Sequence, residues 1–397
     1  MCNKGGDIIK KFISIGMSVI LIVLVFCGCT DNNKELIAKY KVKIENSEIT
    51  YPLYERLSDE EKELYLQMCA RIENHSEDDI KLGAFKTKEE GEAAIKRVHE
   101  ILVELAYEQP QYFWVNTNTC LTNNVKIFGE YYATVKMVYI MDQDERAEKQ
   151  VVFDKRVNEI LDAANSKEQL FDKVLYIYDE IMADTVYDHE VLELEKPPAL
   201  KLNAYGCLVG GSTVCSGYSM AFNFLMQKLG LESGVEFNSY DIYLEFEDRH
   251  VWNYCKLDGD YYYFDLTWDD TLFEDEMYDP YIEYSHLYFA ISKDELLKSN
   301  DTILNDVPTP YCDGTKYNYY IYKNQNVSKY SFDAVKPIIL EQSNNKYIEL
   351  RFDDAEQTLK AEDELMTKGY IYIILKNKKD IRYVISDSGL HMYIFFD

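Results

Sequence analysis

The chain has 397 residues, 47% hydrophobic and 28% charged, a globular composition long enough for two or three domains. Seventy acidic side chains against 42 basic ones give a net charge of −28, which repels phosphate backbones and excludes nucleic acid as a partner. The nine cysteines include no CxxC pair and no regular spacing, which argues against a thiolate metal site or a disulfide framework. No cofactor is expected.

The first 28 residues read as an export signal. Lys4, Lys10 and Lys11 precede the apolar run Phe12 to Cys27, which is short for a bilayer span of about 20 residues. The following Phe26-Cys27-Gly28-Cys29 and its polar continuation resemble the bacterial lipobox. Phe26 and Cys27 depart from its usual leucine and alanine or serine. The resemblance implies cleavage before Cys29, a lipid on its sulfur, and a mature protein tethered to the extracytoplasmic face of the cell membrane. A plain membrane anchor and cleaved soluble secretion are the alternatives. Without residues 1–28, which hold three lysines and one aspartate, the remainder is more acidic still.

Next comes a charged, helix-rich stretch. Ser58 before Asp59-Glu60-Glu61 predicts a capped helix. Ala94, Ile95, Val98, Ile101, Leu102 and Leu105 form a helical stripe ending near Pro110. Asn124 to Asp142, rich in Val, Ile and Tyr, reads as strand. Another helix is predicted from Ser166 as cap, with Leu170, Val174, Ile177 and Ile181 on one face. From Val235 to Trp268 the pattern turns to strands, and from Asn318 onward it is mixed. Boundaries fall near 150 and 300, giving a helix-rich α+β region over 29–150, a middle domain over 151–300 and a C-terminal α+β domain over 301–397.

The stretch GGSTVCSGYSMAFNFLMQKLG, Gly210 to Gly230, sets one thiol before an apolar run. Tyr218, Ala221, Phe222, Leu225 and Leu229 share a helical face, and Gly230 sits where a left-handed terminal residue belongs. Cys215 then begins a helix, where unpaired N–H groups and the macrodipole favour a thiolate and an oxyanion. A lone cysteine here is more often a small buried hydrophobe. Arg249 to Asp270, however, forms two strand-like runs around Asp258-Gly259, a type I′ turn dipeptide. That turn pairs Leu257 with Asp260, sets His250 opposite Thr267, and leaves Asp265 diagonal to His250 on the same face. Thiol, imidazole and carboxylate make a nucleophile, base and orienter. Asp269 or Asp270 could orient instead, although both fit better in a turn ending the strand. Trp252 and Trp268 read as core or cleft wall, His286 as structural, and Tyr205 as a candidate cleft residue with no further signal.

The blocks AYGCLVGGSTVCSGYSMAF, RHVWNYCKLDGDYYYFDLTWDD and YIYDEIMADTVYD resemble the transglutaminase-like superfamily across about a third of the chain, Ser166 to Leu297. The resemblance implies a papain-like α+β core, a helix bearing Cys215 packed on an antiparallel sheet bearing His250 and Asp265. It implies Cys215 as nucleophile, His250 as general base and acid, and Asp265 as orienter. The expected activity is acyl transfer from a protein or peptide substrate of the cell envelope through a thioester. Transfer to water makes a cysteine peptidase or amidase, and transfer to lysine a cross-linking transglutaminase. The non-catalytic alternatives are a binding module that keeps the fold and a structural envelope protein whose tyrosine-rich flanks bind partners.

Overall fold

A computed structural model describes residues 31–47, 49–238, 250–271, 285–299, 310–386 and 388–397. The export signal and Cys29 lie outside the described residues. Among the described residues the fold is α+β, 49% helical and 19% strand. It divides into two compact units.

The first unit holds the described residues up to Asn46, Leu53–Leu105 and Val115–Ile140. Its longer helices are α1 (Asp31–Glu45), α2 (Asp59–Glu73) and most of α3 (Lys88–Glu108). Helix α2 starts where the sequence predicts, because Ser58 and Glu61 form a reciprocal capping box. The Ser58 hydroxyl accepts the Glu61 N–H at 3.3 Å, and the Ser58 N–H donates to the Glu61 carboxylate at 3.0 Å. Strands β1 (Ile80–Phe85), β2 (Leu121–Ile127) and β3 (Glu130–Lys136) form an antiparallel sheet in the order β1-β3-β2. The segment read as one strand is thus largely a hairpin, turning at Phe128-Gly129, where φ is 51° and 98°.

The second unit holds Ser47–Pro52, Ala106–Trp114 and Met141–Asp397. Helix α4 (Gln143–Asn165) precedes α5 (Leu170–Asp184), and the boundary expected near 150 falls within α4. Ser166 is not the N-cap of α5 as the sequence suggested. It closes α4, its N–H bonding the carbonyls of Asp162 and Ala163 at 3.2 Å and its hydroxyl that of Ala163 at 2.6 Å. The two-residue strands β4 (Val186–Tyr187) and β5 (Ser212–Thr213) pair in parallel just ahead of helix α6 (Cys215–Lys228). Strands β6 (Ser233–Phe237), β7 (Val251–Leu257) and β8 (Asp260–Phe264) form an antiparallel sheet with β7 in the middle, and α6 packs on it.

Helix α6 is buried on every side from Cys215 to Gln227, not only along its apolar stripe. Its polar residues fall three or four apart and bond backbone carbonyls instead of water. Ser216 donates to Leu202 O (2.9 Å), Ser219 to Val251 O (2.9 Å), Asn223 to Tyr107 O (2.8 Å) and Gln227 to Glu108 O (3.2 Å). Its far end is a left-handed stop, with Gly230 at φ 78° and the Leu231 N–H bonding Met226 O at 3.0 Å. The C-terminal part adds the sheet β11-β12-β10-β9, from β9 (Asn326–Val327), β10 (Tyr347–Phe352), β11 (Arg382–Ile385) and β12 (His391–Phe395). Tyr393 and Phe395 of β12 share a buried cluster with Trp252, Tyr254 and Tyr263.

Candidate active site

Parallel pairing of β4 with β5 delivers the chain to α6, and Cys215 is that helix's first residue, 7% exposed. Gly217 lets the start of α6 close on its lead-in. A Cβ there would stand 1.8 Å from the Thr213 hydroxyl oxygen and 2.8 Å from its Cβ. Thr213 is itself fully buried and fixed by a 2.6 Å bond to Lys201 O.

The β7–β8 hairpin has the register the sequence predicts. Leu257 faces Asp260 across a turn with Asp258 at φ 52° and Gly259 at φ 106°. The ladder stops at Asn253 opposite Phe264, so His250 and Thr267 do not pair as expected. Strand β8 ends at Phe264 and the chain coils into the six-residue helix α7 (Leu266–Thr271). Asp265 caps that helix, accepting the Trp268 N–H on Oδ1 at 3.1 Å. Its Oδ2 stands 2.6 Å from His250 Nε2. The diagonal approach of His250 and Asp265 is therefore present, built by a strand end and a helix cap instead of two strands.

The His250 side chain is 15% exposed and that of Asp265 2%. With Nε2 held by Asp265, Nδ1 is the ring nitrogen left for another partner, and Cys215 is among the groups that act on the imidazole. Burial opposes charge on the imidazole, but the Asp265 carboxylate, through charge and hydrogen bond, and then Cys215 outweigh it. The pKa is raised to about 10. The structure thus brings Cys215, His250 and Asp265 together.

Asp269 and Asp270 do not end a strand in a turn, because the backbone there is the helix α7. Asp269 is fully buried and accepts hydrogen bonds from the Tyr178 and Ser285 hydroxyls and from the Tyr288 N–H. Burial pushes its carboxyl up to about 7 against these donors. Asp270 accepts from the hydroxyl of Tyr218, one turn beyond Cys215 on α6. Neither carboxylate hydrogen-bonds His250, and both join α7 to neighbouring helices.

Among the remaining candidates, His286 bonds Asp179 at 2.9 Å and stacks on Tyr319 with ring centroids 4.0 Å apart, a structural placement. Tyr205 packs on Phe113 at 4.8 Å. Trp252 is fully buried and belongs to the core. Trp268, read from sequence as core or cleft wall, lays its indole on the His250 ring, 4.4 Å between centroids and 11° from parallel. The other buried thiols lie in different surroundings. Burial pushes Cys207 up to about 12 and also raises Cys255 and Cys312. Among the described residues no cluster of His, Cys, Asp or Glu could hold a metal ion, and no helix is long and apolar enough to cross a membrane.

No family model matches the chain, and no curated protein matches it. Among solved structures it is similar to one described as a TGase, at 16% identity over 37% of its length with a TM-score of 0.27. The match spans 43% of that chain. Similarity at this level carries no argument about fold or activity.

Proposed function

We propose that the second unit is a thiol acyl-transfer enzyme with Cys215 as nucleophile, His250 as general base and acid, and Asp265 as orienter. The observation that carries this reading is the His250 ring, bonded through Nε2 to a buried carboxylate at 2.6 Å and engaged by a thiol at a helix start. As a thiolate, Cys215 attacks the carbonyl carbon of a peptide or carboxamide, and the C=O π pair moves onto oxygen beside the helix N–H groups. Collapse breaks the C–N bond while His250 passes its proton to the leaving amine, and a thioester remains. Water then gives a proton to His250 and attacks the thioester. The C–S bond breaks, releasing a carboxylic acid and the original thiolate–imidazolium pair.

Water as acceptor makes this a cysteine peptidase or amidase. Hydrolysis is preferred over lysine cross-linking because transamidation requires water to be kept from the thioester. The three sequence blocks that resemble the transglutaminase-like superfamily support the same roles. The basic n-region, apolar run and Gly28-Cys29 support a lipid anchor on Cys29 at the extracytoplasmic face of a bacterial membrane, with proteins or peptides of the envelope as substrates.

The test incubates full-length protein with a glutamine-containing peptide library and a tagged primary amine. Carboxylic acid products that disappear in Cys215→Ala are expected. An excess of amine-coupled product overturns hydrolysis, and equal turnover by Cys215→Ala overturns the site. Mass spectrometry of the mature N-terminus checks the anchor, and an unmodified peptide spanning Met1 to Thr30 refutes it.

A further inference from the structure

Asp265 fixes one point of the His250 ring. A hydrogen bond to Nε2 alone leaves the imidazole free to swing about that contact, and with it the direction of Nδ1. The plane of the ring needs a second restraint, and two indoles face it, that of Trp252 at 5.7 Å and 22° and, closer and flatter, that of Trp268. Trp268 is in position to supply it, its indole 4.4 Å from the imidazole and within 11° of parallel. The indole is itself braced by Tyr288, 5.1 Å away and tilted by 58°, and Tyr288 is tied through its N–H to Asp269. Trp268 also acts through its backbone, because its N–H occupies Asp265 Oδ1 and leaves Oδ2 to His250.

We propose that Trp268 is a positioning residue for the base: its indole face sets the plane of the His250 ring and favours the imidazolium, so that Nδ1 is held toward Cys215. The inference rests on the Cys215–His250–Asp265 reading above. An aromatic face is negative and attracts a flat cation more than the neutral ring. Since the bond to Asp265 comes from the backbone, substituting residue 268 removes the nearer ring and leaves in place the carboxylate's own restraint and the more distant Trp252 face.

The experiment measures the rate of Cys215 alkylation by iodoacetamide at pH 6 in the full chain, by mass spectrometry of the Cys215 peptide. Trp268→Leu should slow it roughly 3- to 30-fold, the range of a cation–π contact from exposed to desolvated surroundings. Trp268→Phe, which keeps a smaller aromatic face, should fall between Leu and wild type. His250→Ala is the control for the underlying reading. If it leaves the rate unchanged, the thiol–imidazole pair itself is wrong. If His250→Ala slows alkylation while Trp268→Leu matches wild type, the positioning role is overturned. Should the leucine variant fail to fold, as judged by circular dichroism, the phenylalanine variant decides, and a rate equal to wild type refutes the role.

Discussion

Replacing Asp265 with asparagine keeps an oxygen and the shape but removes the charge facing His250. The lost contact is a 2.6 Å hydrogen bond to a carboxylate 2% exposed. Charged hydrogen bonds are worth about 1.5–3 kcal/mol, and one pKa unit is about 1.4 kcal/mol, so the imidazolium midpoint should fall by roughly one to two units. From about 10 it would drop to roughly 8–9. The sign follows from His250 being raised in the folded state. Its stabilising contribution is complete below the ordinary imidazole value of about 6.5 and is lost as pH rises through the folded midpoint. The variant therefore loses less stability than wild type between pH 6 and 10, having less to lose. The assay is the ring-carbon NMR titration of protein labelled in its six histidines, with the His250 signal identified by His250→Gln. A midpoint unchanged or higher in Asp265→Asn would refute the claim that this carboxylate holds the charged ring.

Two further outcomes are expected. His250→Ala should reduce turnover by roughly 10²–10⁴-fold, with Asp265→Asn less damaging, whereas Cys207→Ala and Cys255→Ala keep it; equal loss from Cys207→Ala in a folded protein would move the site. Gly217→Ala must displace Thr213, because its Cβ would lie 1.8 Å from the Thr213 hydroxyl. An overpacking cost of about 1–3 kcal/mol should appear as a lower melting temperature together with slower Cys215 alkylation, and wild-type behaviour in both would show that the helix start is not tightly seated.

What the sequence revealed was local. The Ser58 cap, the start of α6 at Cys215, the Gly230 stop and the Leu257–Asp260 register each depend on residues a few positions apart. What it concealed depends on partners far along the chain. Ser216, Ser219, Asn223 and Gln227 have the spacing of a wetted helix face, yet carbonyls of Leu202, Val251, Tyr107 and Glu108 cover them. Ser166 precedes a helical stripe and looks like its cap. Helix α4, whose buried face is only Phe153, Val157, Ile160 and Ala164, runs up to it first. The strand-rich composition of Tyr261 to Trp268 hid the change of direction at Asp265, because a carboxylate that caps a helix reads the same as one that faces solvent from a strand.

That change of direction explains why Asp-Leu-Thr-Trp-Asp-Asp acts as a block. In a helix, successive side chains point about 100° apart, so Trp268, Asp269 and Asp270 reach three different neighbours. Trp268 meets the His250 ring, Asp269 takes the Tyr178 hydroxyl from α5, and Asp270 takes the Tyr218 hydroxyl from α6. Asp265, capping the same helix, takes His250. One short helix thus meets His250 through both Asp265 and Trp268 and grips α6 one turn from Cys215. Had β8 continued past Phe264, the three side chains would alternate between two faces of a sheet, and no single segment could hold His250 and α6 at once.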